Sequence, residues 1–135
     1  MLSKTSTQVI NAFIELAKLP LGEFEGAVSI AKKIKAPENY LGKMLQSFAE
    51  NGLVISKKGF GGGFRLARDP KKIRLYDIVQ PIDNIKLWSE CALGLKQCLD
   101  TSPCAVHFGW KKVRETYYEF LKNTSIADLA SRNIQ

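Results

Sequence analysis

Histidine is the scarcest side chain in this protein: there is one, His107, and the only three cysteines, Cys91, Cys98 and Cys104, lie just ahead of it. Any soft-metal or thiol chemistry is therefore confined to the stretch CALGLKQCLDTSPCAVH, residues 91 to 107. Three thiols cannot all pair with one another, and clustered cysteines in a reducing compartment serve as metal ligands or redox-active thiols rather than structural crosslinks. Long apolar runs are missing too. No stretch of 18 apolar residues occurs, and the start LSKTSTQVINAF lacks a basic segment followed by an apolar run and a small-residue cleavage site. The expectation is a cytoplasmic protein with no signal peptide and no membrane span. A nucleotide loop is also lacking. KKGFGGGFRL has no Gly-Lys-Ser/Thr ending, the last glycine of a dinucleotide fingerprint would fall on Phe64, and strand rather than helix follows. Nothing supplies the cleft and orienting group that a cysteine–histidine hydrolase needs, so no enzyme is expected.

Acidic residues are nearly absent from one segment. Residues 57 to 74 carry Lys57, Lys58, Arg65, Arg68, Lys71, Lys72 and Arg74 against Asp69 alone, a net +6 out of +7 for the whole chain. Residues 1 to 56 sum to +1 and residues 75 to 135 to zero. A short basic cluster can be no more than a solvated face, but a stripe this localised suits a polyanion.

At 135 residues the chain is one domain of ordinary size. Ile10, Phe13, Ile14 and Ala17 fall on one face of a helix over residues 3 to 19, with Ser3, Thr5 or Ser6 able to cap it. A second helix is expected at residues 26 to 34. Pro37 and Glu38 suit the first turn of a third, residues 37 to 51, with Leu41, Met44, Leu45 and Phe48 as its buried stripe. Residues 53 to 57 and 64 to 67 read as strands around the turn KGFGGG, and residues 75 to 82 as a fourth helix. Three helices followed by a hairpin describe a winged helix-turn-helix, so the fold class is mainly α with a small β wing. The third helix would enter the major groove with Glu38, Asn39, Tyr40 and Lys43, where Asn39 suits an adenine edge and Lys43 a guanine or a phosphate. Packing against the core is the equal alternative for Tyr40. In the wing, glycines including Gly61 and Gly62 permit close approach, and Lys57, Lys58 and Arg65 suit a phosphate backbone or minor groove.

Residues 88 to 103 show no periodicity and read as loop. Val106, Trp110, Val113, Tyr117 and Phe120 then repeat with 4-3-4-3 spacing along one long helix. Its other faces are polar, and little core remains to receive the seam, so pairing with a second copy is the economical solution. Residues 125 to 130 read as a short helix that folds back.

The ligand segment spells C-x6-C-x5-C-x2-H. Structural zinc knuckles pair ligands across two to four residues, and the long gaps between the cysteines here weaken the zinc reading without removing it. Thiolates with an imidazole are reasonable iron–sulfur ligands. Cys104 and His107, three apart at the start of the long helix, can point the same way, with Lys111 and Arg114 continuing that face. The plain alternative for His107 is a surface histidine at a helix start.

Taken together, IAKKIKAPENYL, NGLVISKKGFGGGFRLARDP, CALGLKQCLDTSPCAVHFGW and FLKNTSIADLA resemble, in order and over essentially the whole chain, the Rrf-type winged-helix transcription regulators, the group with IscR-like and NsrR-like members. The resemblance implies a homodimer crossed through the long helix on a roughly two-fold DNA operator. It also implies a [2Fe-2S] or [4Fe-4S] cluster on Cys91, Cys98 and Cys104, with His107 matching the fourth ligand of IscR-like members. The first cysteine gap is one residue longer than is usual in either subgroup. Gln8 stands where NsrR-like members can use an acidic ligand, and Ala36 where many relatives have a serine cap.

Residues 1 to 82 would then form the DNA-binding region, 83 to 103 the cysteine-bearing sensor loop, and 104 to 135 the dimerisation helix and C-terminal end. The function expected is a transcription regulator, a repressor, controlled by an iron–sulfur cluster. The same regulator sensing through thiols or zinc is the alternative, and a basic RNA- or protein-binding module the third.

Overall fold

In the computed structural model, residues 2–85, 93, 101 and 103–131 are described. Helix α1 (Lys4–Ala17) is capped by Ser3, whose hydroxyl accepts the Ser6 amide at 3.1 Å. The same hydroxyl donates to Asp83 Oδ1, which ties the start of α1 to a residue 80 positions along the chain. One face of α1 is buried through Val9, Ile10, Phe13 and Leu16, and Phe13 meets Phe48 edge to face at 5.4 Å. Such an aromatic pair contributes about 0.5–1.5 kcal/mol beyond its buried area.

Helix α2 (Ala27–Ile34) ends at Lys35, which adopts φ 57°. Helix α3 (Glu38–Glu50) begins one residue later than the sequence suggests. Pro37 is its cap rather than its first helical residue: its ψ of 128° is extended, while its carbonyl accepts the Leu41 amide at 3.2 Å. Leu41, Leu45 and Phe48 face the core, and Gly42 lets α3 lie close to α2, where a Cβ would be 3.5 Å from that of Ala27.

The wing follows as β1 (Val54–Lys57) and β2 (Gly63–Leu66), antiparallel with Val54 opposite Leu66 and Lys57 opposite Gly63. It has a third partner that sequence reasoning missed. Glu25 exchanges two backbone hydrogen bonds with Phe64, at 3.0 and 2.8 Å, and so joins the wing to the segment before α2. Gly63 makes this approach possible, because at φ 137° a Cβ there would collide with the Glu25 carbonyl.

A 3-10 turn (Pro70–Lys72) leads into α4 (Leu75–Asp83), and α5 (His107–Asn123) and α6 (Ile126–Ala130) are the remaining helices among the described residues. α6 folds back onto α1. It is held by the Ile126 amide on the Ile73 carbonyl at 2.9 Å and by reciprocal Ser125–Asp128 capping. The long helix therefore starts at His107, with Val106 as its cap, and Cys104 lies before it rather than on its face. Sequence spacing alone could not show this, since no capping side chain marks the boundary.

The seam residues divide. Val106, Val113 and Phe120 are 43%, 50% and 49% exposed, and Trp110 is half-buried. Tyr117, by contrast, is buried in the chain's own core. Burial pushes its phenol above the usual tyrosine range.

Candidate nucleic-acid interface and sensor segment

Glu38, Asn39, Tyr40 and Lys43 are all exposed in the first turns of α3. Tyr40 is not core packing: its hydroxyl shares a 3.0 Å hydrogen bond with Thr5 Oγ1, which leaves Glu38, Asn39 and Lys43 as the side chains of these four with neither burial nor a tertiary bond among the described residues.

On the wing, Lys57, Lys58 and Gly61 are exposed, while Gly62 and Arg65 are half-buried. Because Ile55 pairs with Arg65 and Lys57 with Gly63, Lys57 and Arg65 lie on the same face of the ribbon. Two like charges would repel there. They instead share an aromatic ring: Lys57 Nζ lies 5.5 Å and Arg65 Cζ 5.2 Å from the Phe24 centroid. A cation over a ring face gains about 0.5–1 kcal/mol at an exposed site. Phe24 sits in the α1–α2 connection, where periodicity says nothing, so no sequence signal pointed to it.

Its neighbour Glu25 is buried, and Oε1 accepts from Lys33 Nζ at 2.7 Å and Ser29 Oγ at 2.9 Å. The hydrogen bond to Glu25 holds the Lys33 ammonium above the usual lysine range. Glu25 thus binds the wing through its backbone and α2 through its side chain. Wing and helix-turn-helix are fixed as one unit.

Cys91 and Cys98, with most of the expected loop, lie outside the described residues. Cys104 is half-buried just before α5, and the His107 amide donates to its carbonyl at 3.1 Å. His107 is 1% exposed, so the surface-histidine alternative fails. Its ring stands edge-on to Phe108 at 4.9 Å. A half-buried thiol and a buried imidazole within one turn are a soft donor pair, and with two further thiols in the same segment the donor set suits iron–sulfur ligation. Lys111 and Arg114 follow on α5, both partly buried.

Along α5, Leu2, Val113, Thr116, Tyr117 and Phe120 line an open apolar trough of about 650 Å³. Among the described residues no helix is long and apolar enough to cross a membrane.

Comparison with known proteins places these features. The Rrf2 family, described as iron-dependent transcriptional regulator, matches residues 2–132. A protein of Aquifex aeolicus described as an HTH-type transcriptional regulator is 34% identical over 128 residues, covering 92% of this chain and 89% of that protein. Among solved structures, CymR, the global cysteine regulator of B. subtilis, superposes with a TM-score of 0.81 at 27% identity, covering 97% of this chain and 96% of that one. IscR of T. potens gives 0.75 at 25% identity, covering 97% and 86%. The chain belongs to the Rrf2 family of transcriptional regulators, and its winged helix is a DNA-binding unit.

Proposed function

We propose that this regulator is a homodimeric repressor whose operator affinity is set by an iron–sulfur cluster held by Cys91, Cys98, Cys104 and His107. The observation that carries this reading is the placement of the chain's only histidine, buried at the first position of α5 and bonded through its backbone to Cys104. A bound cluster supplies a group whose charge and integrity respond to redox state, iron supply and nitric oxide. His107 opens the helix that carries the exposed seam, so a change in the Cys104–His107 segment would bear on α5 and on the spacing of two recognition helices across a dimer. A ligand shifts such an equilibrium only by its differential affinity for the two states.

The likeness to a global cysteine regulator favours a second reading, in which the three cysteines respond as thiols without a metal. Visible absorption of anaerobically purified protein separates the two, because a cluster is coloured and thiols or zinc are not. Colour that tracks iron and sulfide content is expected. A colourless protein with three titratable thiols would contradict the cluster reading and leave the thiol one.

DNA contact would be divided between wing and helix. Lys57, Lys58 and Arg65 are supported as phosphate ligands by their charge and common location. Changing all three to alanine should weaken binding to every duplex and flatten the slope of log affinity against log salt by about 0.9 for each phosphate no longer neutralised. Asn39→Ala should instead cost about 1–3 kcal/mol on the operator and little on random DNA. An unchanged slope would contradict the first assignment, and equal losses on both duplexes the second.

A further inference from the structure

The tip of the wing carries almost no side chains. Between Lys58 and Phe64 the sequence is Gly59-Phe60-Gly61-Gly62-Gly63. Gly59 and Gly61 turn the backbone at φ of 87° and 74°, and a Cβ on Gly62 would collide with the Lys57 carbonyl oxygen. The turn is thus one side chain wide, and that side chain is a phenyl ring. Phe60 is 107% exposed.

A ring with no covered surface contributes nothing to the fold by burial. Its position suits a different use. Lys57 and Arg65 are drawn over Phe24 on one face of the ribbon, and Lys58 stands two residues from Phe60. If those cations lie along a phosphate backbone, the glycine turn and its ring are carried toward the adjoining groove. The minor groove is only about 6 Å wide, which a turn without flanking side chains can enter and a bulkier one cannot. Apolar side chains set into that groove wedge between base pairs, unstack them and bend the duplex.

We propose that Phe60 is an apolar wedge that enters the operator minor groove and opens one base step. Pyrimidine–purine steps, TA and CA/TG, unstack most readily, so the wedge would select such a step where no side chain hydrogen-bonds to a base. The proposal rests on the reading of the wing as a DNA-contacting element, and the variants below separate the two.

The experiment uses the full chain and a duplex that the wild type selects from a randomised pool. Affinity, salt slope and the bend angle from end-to-end energy transfer are measured for wild type, Phe60→Ala, Phe60→Leu and the pair Lys57→Ala/Lys58→Ala. Because Phe60 is fully exposed, its variants should melt at the wild-type temperature. Phe60→Ala should straighten the duplex, lower affinity about tenfold and abolish the preference at the flexible step, with the salt slope unchanged because no charge is removed. Phe60→Leu should keep most of the bend. The lysine pair should lower affinity and flatten the slope. If Phe60→Ala keeps the bend and step preference while the lysine pair weakens binding, the wedge is overturned and the wing reading stands. If neither variant affects binding, both are overturned, and the ring is better explained as a docking point for another protein.

Discussion

Val113→Glu should convert the proposed homodimer into a monomer at micromolar concentration. Val106, Val113 and Phe120 stand seven residues apart and are about half-exposed, and Val113 and Phe120 border the apolar trough along α5. An apolar stripe of this kind is left uncovered by a lone chain, and the proposed homodimer would bury it between its two copies. In a two-fold interface each substitution counts twice, and an unpaired buried carboxylate costs several kcal/mol even after partial relaxation. Because Val113 lies outside the core of its own chain, the variant should keep the helical content of the wild type. Sedimentation is the check: monomer with native circular dichroism is expected. A dimer that persists would move the interface elsewhere. Tyr117→Ala should behave differently. It would open a cavity in the chain's own core and cost about 3–5 kcal/mol of fold stability, the range for removing a large buried ring.

That contrast shows what the sequence could and could not reveal. A capped start to α1, with Ser3 one of three candidates, the stripes of α1 and α3, the glycine turn of the wing and the return of α6 all follow from local periodicity and cap chemistry. Each was legible to within a residue or two. The 4-3-4-3 spacing of α5 was legible as well, but spacing cannot say that Tyr117 turns into its own chain while Val113 and Phe120 do not. Nor could it show that α5 starts at His107 and leaves Cys104 outside, since no capping side chain marks the boundary. Phe24 under two cations and Glu25 bridging wing and α2 depend on contacts about 40 residues apart in sequence. Nothing in the α1–α2 connection marks them. The candidate site was therefore predictable as a set of residue types and only partly as an arrangement.

The second large effect belongs to the ligand segment. Cys104→Ala should leave the anaerobically prepared protein unable to retain a cluster, because three remaining ligands expose iron to solvent and oxygen. The same loss is expected for Cys91→Ala and Cys98→Ala. His107 should be more forgiving toward the cluster and less so toward the fold. His107→Ala would keep a labile cluster, completed by water or a small thiol, yet it removes a side chain that is 1% exposed and should lower the melting temperature even of the metal-free protein. His107→Cys adds a negative charge and should lower the reduction potential of a retained cluster. Iron content, melting temperature and potential read these effects separately. A cluster that survives Cys104→Ala unchanged would remove that residue from the ligand set.

The most direct test of the central claim is operator affinity of the anaerobic cluster-loaded and cluster-free forms, measured side by side at one salt concentration on the duplex selected by the wild type. A coupling of ordinary size, about 1–3 kcal/mol, predicts affinities that differ roughly 5- to 150-fold between the two forms, with the difference abolished in His107→Ala. Equal affinity of the two wild-type forms would contradict cluster control and leave a DNA-binding regulator that senses by another route.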